Sequence, residues 1–212
     1  MIITVFGATG QVGKRVVAQA LAAGHVVRAF GRNVDSLIDA DLSNTKLVAI
    51  KGYVFDEADV KAAITGCDAI ISCLGGAFDG TDKTRSLGLK NIVTQMQQCG
   101  VKRIAAVGGM GILNASADTK IIDVPMYPEQ YRPVGLEHLA AYNVLISSGK
   151  DWTFVCPPNI VDEDASGNYR TNINYPPQPD TGKIAAGDIA DCLLQAVTTN
   201  QYLHKRVGLC SV

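Results

Sequence analysis

The stretch Gly7-Ala8-Thr9-Gly10-Gln11-Val12-Gly13 constrains this chain more than any other. An apolar run, Ile2 to Phe6, precedes it, and Val12, Val16, Val17, Ala20 and Leu21 recur after it at helical spacing. That order predicts a strand, a glycine turn and a helix. Glycine is needed there because the turn demands backbone angles that a side chain forbids, and because a phosphate must approach bare N–H groups at a helix start. The spacing is G-x-x-G-x-x-G, with Ala8 where the strict G-x-G-x-x-G form has its first glycine. A second apolar run, His25 to Phe30, ends in Gly31-Arg32-Asn33, about 20 residues after the turn, where a dinucleotide-binding unit meets the adenosine ribose. An acidic residue there would bond a free 2′-hydroxyl, whereas Arg32 suits a 2′-phosphate, so the expected cofactor is NADP, as NADPH, rather than NAD.

The same unit repeats along the chain. Helical patterns end in Gly24, Gly66, Gly100 and Gly149, each able to take the left-handed conformation that closes a helix, and each followed by a strand-like run. Strands are expected at Ile2 to Phe6, Val26 to Phe30, Leu47 to Lys51, Ala69 to Leu74, Arg103 to Val107 and Trp152 to Cys156. These runs are apolar on consecutive residues, as befits a sheet covered on both faces. Right-handed crossovers then give an α/β fold with a doubly wound parallel sheet in the order 3-2-1-4-5-6 and helices on both faces, its ligand crevice at the strands' carboxyl ends. Leu89, Ile92, Val93 and Met96 form one apolar stripe, Asp56 with Asp59 caps the helix running to Ile64, and a helix spans Pro133 to Ser148. Gly187 to Thr198 is helical, with Asp188 as a cap or dipole partner, and Val207 to Val212 adds a strand.

Two segments fall outside the repeat, 108–132 and 157–182, both rich in turn formers. Leaving the carboxyl ends of strands five and six, they are expected to wall a substrate region, the second being a small C-terminal one. The 212 residues are read as one domain, 1–212, and a net charge of -1 gives no drive toward nucleic acid. No apolar run is long enough to span a bilayer, and Met1 leads straight into the first strand, so a cytoplasmic protein with no membrane partner is expected. The six cysteines include no C-x-x-C pair, and neither a disulfide nor a metal site is expected.

With Gly7 to Gly13, Arg32, Leu74-Gly75-Gly76 and Cys156-Pro157-Pro158 in place, the chain resembles the atypical short-chain dehydrogenase/reductases, a Rossmann-type NAD(P)-binding group that includes NmrA-like proteins. Within it the likeness is greatest to the biliverdin reductase B or flavin reductase branch. The resemblance implies that Thr9, Gly10, Gln11 and Val12 line the pyrophosphate, Arg32 the 2′-phosphate, Leu74, Gly75 and Gly76 the adenine-side ribose, and Pro157, with Gly108 and Gly109, the nicotinamide side. The group's usual Gly-Asp after strand three is Gly52-Tyr53 here. Its tyrosine and lysine slots hold Val134 and His138, and a serine and a histidine common in the branch are replaced by Gly109 and Asn159.

Loss of the tyrosine–lysine pair disfavours alcohol–ketone chemistry, while hydride transfer to a flat ring needs only placement and exclusion of water. The candidate catalytic residues are His138, which shares a helix face with Tyr142 and whose unperturbed pKa near neutrality suits it to donate a proton or bond the substrate, and Asn159, which either bonds a ring carbonyl or caps the turn after Pro158. Met110, Met126, Tyr127, Tyr131, Tyr169 and Tyr175 offer apolar and aromatic surface to a flat substrate. The expected function is NADPH-dependent reduction of a flavin such as FMN, or of a quinone-like acceptor, by a monomer or homodimer. The alternatives are an NmrA-like redox sensor that holds NADP without turnover, and a sugar epimerase or dehydratase.

Overall fold

The computed structural model describes residues 1–34, 37 and 45–212. Its elements are β1 (Ile2–Phe6), α1 (Gly13–Ala22), β2 (Val26–Gly31), β3 (Leu47–Lys51), α2 (Glu57–Ile64), β4 (Ala69–Ser72), α3 (Leu89–Cys99) and β5 (Arg103–Val107). There follow the hairpin β6 (Asn114–Ser116) and β7 (Thr119–Lys120), then α4 (Arg132–Ile146), β8 (Asp151–Cys156), β9 (Asn159–Val161), β10 (Tyr169–Ile173), β11 (Lys183–Ala185), α5 (Ala186–Thr199) and β12 (Lys205–Ser211). The main sheet has the order β10-β12-β8-β5-β4-β1-β2-β3, and every pairing in it except β10 with β12 is parallel. The six central strands therefore follow 3-2-1-4-5-6 in a Rossmann-type arrangement. Beyond them β12 joins β8, and β10 forms an antiparallel edge.

The strands alternate their side chains between two cores. Ile3, Val5, Val27, Ala29, Ile71 and Val155 face α1 and α5, while Phe6, Phe30, Ile70, Ile104 and Phe154 face α2, α3 and α4. Both sets are apolar, which is why the strand sequences read as unbroken hydrophobic runs. Gly24, Gly66, Gly100 and Gly149 all have φ between +65° and +83°, the left-handed closures that the sequence called for. Asp56 accepts a bond from the Asp59 N–H at 2.9 Å and so caps α2.

The segments outside the repeat are more ordered than their composition implies. Residues 108–132 hold the β6–β7 hairpin and short helical turns, and β9 pairs in parallel with β11 across the base of the second segment. That second segment is clamped to the sheet's helices. Arg15 of α1 bonds Asp162 at 2.6 Å and Asp164 at 2.9 Å, and a Cβ on Gly187 would fall 2.0 Å from the Ala165 nitrogen. Asp188 caps nothing; it is fully buried and accepts from Ser166 Oγ at 2.8 Å and Gly167 N–H at 2.9 Å. It sits in the first turn of α5, where a negative charge is favoured, but its hydrogen bonds hold the loop. Among the described residues no helix is long and apolar enough to cross a membrane, and all six cysteines are free thiols.

Candidate functional site

The carboxyl ends of β1, β2, β3, β4, β5 and β8 open into one cleft of about 1130 Å³. A topological reversal places it there, because the chain runs outward from β1 in one direction to β3 and in the other from β4 to β8, so the loops on either side splay apart.

At its floor is the glycine turn. Gly7 has φ +72°, and a Cβ there would lie 2.5 Å from the Cys73 carbonyl oxygen; one on Gly13 would lie 2.0 Å from the Gly7 carbonyl oxygen. Neither position admits another residue without moving backbone. Gly10 is different, since its nearest neighbour would be 3.3 Å away. It keeps the cleft face of the turn bare. No side chain caps α1; the Lys14, Arg15 and Val16 N–H groups turn back onto the Gly10 and Val12 carbonyls, and it is the backbone of Gln11 and Val12, just ahead of them, that borders the cleft. An uncapped helix start behind a bare glycine turn is the environment a pyrophosphate requires, and the residues present fit such a group.

Thr9, Gln11, Val12, Arg32, Leu74, Gly75, Gly76, Gly108, Gly109 and Pro157 all line the cleft with Gly7 and Gly10, as do His138 and Asn159. Gly13 does not. Its role is to let α1 pack on the turn. Gly76 and Gly108 are also crowded, by the Asp82 carboxylate and the Phe154 ring. Arg32 is exposed at the end of β2. Gly52 follows β3, and a Cβ there would strike the Phe30 ring, so Tyr53 and Phe55 flank the cleft at this end, 62% and 57% exposed.

The other half of the cleft is walled by Met110, Met126, Tyr127, Tyr131 and Val134. The Met110 N–H donates to the Pro157 carbonyl at 3.0 Å and ties the two walls together. The Tyr127 hydroxyl lodges against Gly111 and Gly135, where a Cβ would come within 2.8 and 2.9 Å of it. Tyr169 and Tyr175 lie elsewhere; Tyr169 bonds Asp191 at 2.7 Å. Nor does Tyr142 share the cleft with His138. It packs edge-on to Trp152 with centroids 5.7 Å apart, and the Arg206 guanidinium sits 5.2 Å from its ring. Helical spacing put both residues on one face, but the wide α4 interface divides that face between cleft and core.

His138 occupies the space that Gly109 leaves, since a Cβ on Gly109 would be 2.8 Å from its Cδ2. Its Nδ1 is enclosed with no hydrogen-bond partner. Burial, reinforced by the Arg85 charge, pushes the imidazole down to about 3, so the ring is neutral at physiological pH. The unperturbed value near neutrality, on which the expectation of proton donation rests, does not hold in this site. Asn159 makes no capping bond; its N–H donates to the Gly182 carbonyl at 3.2 Å and its side chain is exposed at the cleft mouth.

Sequence reasoning missed Phe78, Asp82, Thr84 and Arg85, all of which line the cleft. A signal for the last existed. Arg85 stands four residues before Leu89, on the same stripe as Ile92 and Met96, where a buried cation is out of place.

The family model described as NAD(P)H-binding matches residues 7–200. A Burkholderia pseudomallei protein assigned as exported is 28% identical, with 99% of each chain covered and a TM-score of 0.84. A Streptococcus pneumoniae protein assigned as an NADH-flavin reductase is 25% identical over 100% of both chains, again with a TM-score of 0.84. An uncharacterized chloroplastic protein of Arabidopsis thaliana is 27% identical over 78% of this chain, and the match spans only 61% of the plant protein.

Proposed function

This chain belongs to the NAD(P)H-binding family, with an oxidoreductase fold, and on that premise we propose that it is an NADPH-dependent reductase passing hydride to a flavin or quinone-like ring. One observation carries the reading. The cleft joins a glycine cradle for a dinucleotide to an apolar, aromatic-walled chamber in which the tyrosine slot of alcohol dehydrogenation holds buried Val134.

In this reading Gly7 to Val12 hold the pyrophosphate and Arg32 the 2′-phosphate, while Leu74 to Gly76 meet the ribose and Gly108, Gly109 and Pro157 seat the nicotinamide. The cofactor, when bound, supplies the hydride. The chain's part is to align a flat acceptor and keep water out, which Met110, Tyr127 and Tyr131 do by apolar contact. Neutral His138 offers a hydrogen bond to the acceptor, and Asn159 a second at the mouth; the proton that completes reduction comes from solvent. An epimerase or dehydratase reading lacks its base at Val134.

The test is anaerobic NADPH oxidation with FMN, a quinone and biliverdin offered separately, beside a direct NADPH titration. Turnover with a flat acceptor is the expected result. Tight NADPH binding with no turnover on any acceptor would overturn the reductase reading in favour of a sensor.

A further inference from the structure

We propose that Arg85 is an anion anchor in the acceptor half of the cleft, so that the acceptor is a flat ring bearing a phosphate or carboxylate. The proposal rests on the reductase reading for its acceptor, and it assigns a binding role that the glycine turn and Arg32 do not fill.

The Arg85 side chain lies against the cleft with the residue only 8% exposed. Its Nη1 donates to the Ala77 carbonyl at 3.1 Å and its Nη2 to the Gly76 carbonyl at 2.9 Å, and the Phe78 ring lies 5.6 Å from the guanidinium. These contacts fix the fork while using two of a guanidinium's five donors. Among the described residues none forms an ion pair with it.

The nearby carboxylates are committed elsewhere. Asp82 accepts the N–H groups of Thr84 at 2.8 Å and Ala77 at 3.3 Å, and buried Glu137 is held by Lys83 at 3.0 Å and Ser86 at 2.8 Å. Burial depresses the Arg85 pKa against the opposing pull of both acids. A buried guanidinium held by neutral carbonyls and lining a cleft is a site that a bidentate anion would complete.

Among the described residues the cations lining the cleft are Arg32 and Arg85, and the acid is Asp82. They serve different ends. Arg32 closes β2 beside the adenosine position, whereas Arg85 is followed by Ser86, whose hydroxyl donates to Glu137 at 2.8 Å, one residue before His138 on α4, which sets Arg85 beside the chamber lined by Val134 and Tyr131. An anionic ring seated there would lie against Phe78 with its charged substituent on Arg85 and its edge toward His138.

FMN and riboflavin share one ring and differ in a phosphate, and anthraquinone-2-carboxylate and 2-hydroxymethylanthraquinone provide a second matched pair. Each would be titrated onto NADP⁺-loaded protein and then assayed for turnover with NADPH. The wild type should favour the anionic partner by about ten-fold or more in at least one pair. At saturating NADP⁺, Arg85→Gln should erase that preference while the neutral twin binds as before, and Arg85→Lys should keep part of it. If no anionic ring outbinds its neutral twin, or if Arg85→Gln weakens both twins alike, the anchor is wrong and Arg85 merely braces the 76–77 loop. An Arg85-dependent preference in binding without NADPH oxidation would keep the anchor and remove the reductase reading.

Discussion

In the proposed reading the dinucleotide half of the cleft is built on a glycine turn whose side chains matter by their absence, while the acceptor half is gathered from α4 and the loops after β5 and β8, whose side chains do the shaping. At the glycine turn the neighbours of a missing Cβ are backbone atoms, as at Gly7 and Gly13. On the acceptor wall they are the ends of side chains, as where Tyr127 meets Gly111 and Gly135. Backbone cannot retreat without moving an element, whereas a ring can turn. The cofactor half is therefore rigid, and the acceptor half is able to change its specificity by small substitutions.

The comparison breaks first at its glycines. Gly13→Ala places a Cβ 2.0 Å from the Gly7 carbonyl oxygen and should displace α1 from β1, with loss of roughly 3 kcal/mol or more and of measurable NADPH binding. Gly111→Ala meets the Tyr127 hydroxyl at 2.8 Å, which can swing aside, and should cost no more than about 1 kcal/mol while altering acceptor turnover. Thermal unfolding and NADPH titration of the two variants read the difference. Equal melting temperatures for both would show that the two halves are equally plastic.

A smaller effect should follow at Arg32, where one charged contact is at stake. Removing a charge-assisted contact to a phosphate costs about 1.5–3 kcal/mol, so Arg32→Ala should weaken NADPH roughly ten- to a hundred-fold and leave NADH nearly unchanged. Calorimetry with both cofactors distinguishes this from a general disturbance, in which the two would weaken together.

This division also explains what could be read beforehand. The glycine turn, the four left-handed helix closures and the central strand order follow from local rules about φ and hydrophobic period, which act within a few residues. Edge strand β10 was hidden because Tyr169–Ile173 is mostly exposed and polar, with no apolar run to mark it. Tyr142 and Tyr169 were grouped with the cleft because composition cannot say which side of a packed helix or loop a ring takes. Phe78 lines the cleft in a loop whose Gly76 and Ala77 carbonyls are held by Arg85, and of that arrangement only the place of Arg85 on the Leu89 stripe is visible in the sequence.

The mildest test concerns protons in the acceptor half. His138 is held near 3 in the fold by burial and by Arg85, against an ordinary value of 6.5. Between those values the unfolded chain takes up a proton that the folded chain refuses, so the slope of stability against pH is positive in this window. The contribution is fully present above about 6.5 and is lost progressively as the pH falls toward 3. Replacing His138 with Gln should reduce that slope when urea unfolding is followed at several pH values. The same neutrality means that kcat/KM should show no ionisation near 6.5 that disappears in the variant. If such a limb exists in the parent and vanishes with the imidazole, His138 gives a proton in turnover, and the acceptor half carries acid chemistry as well as shape.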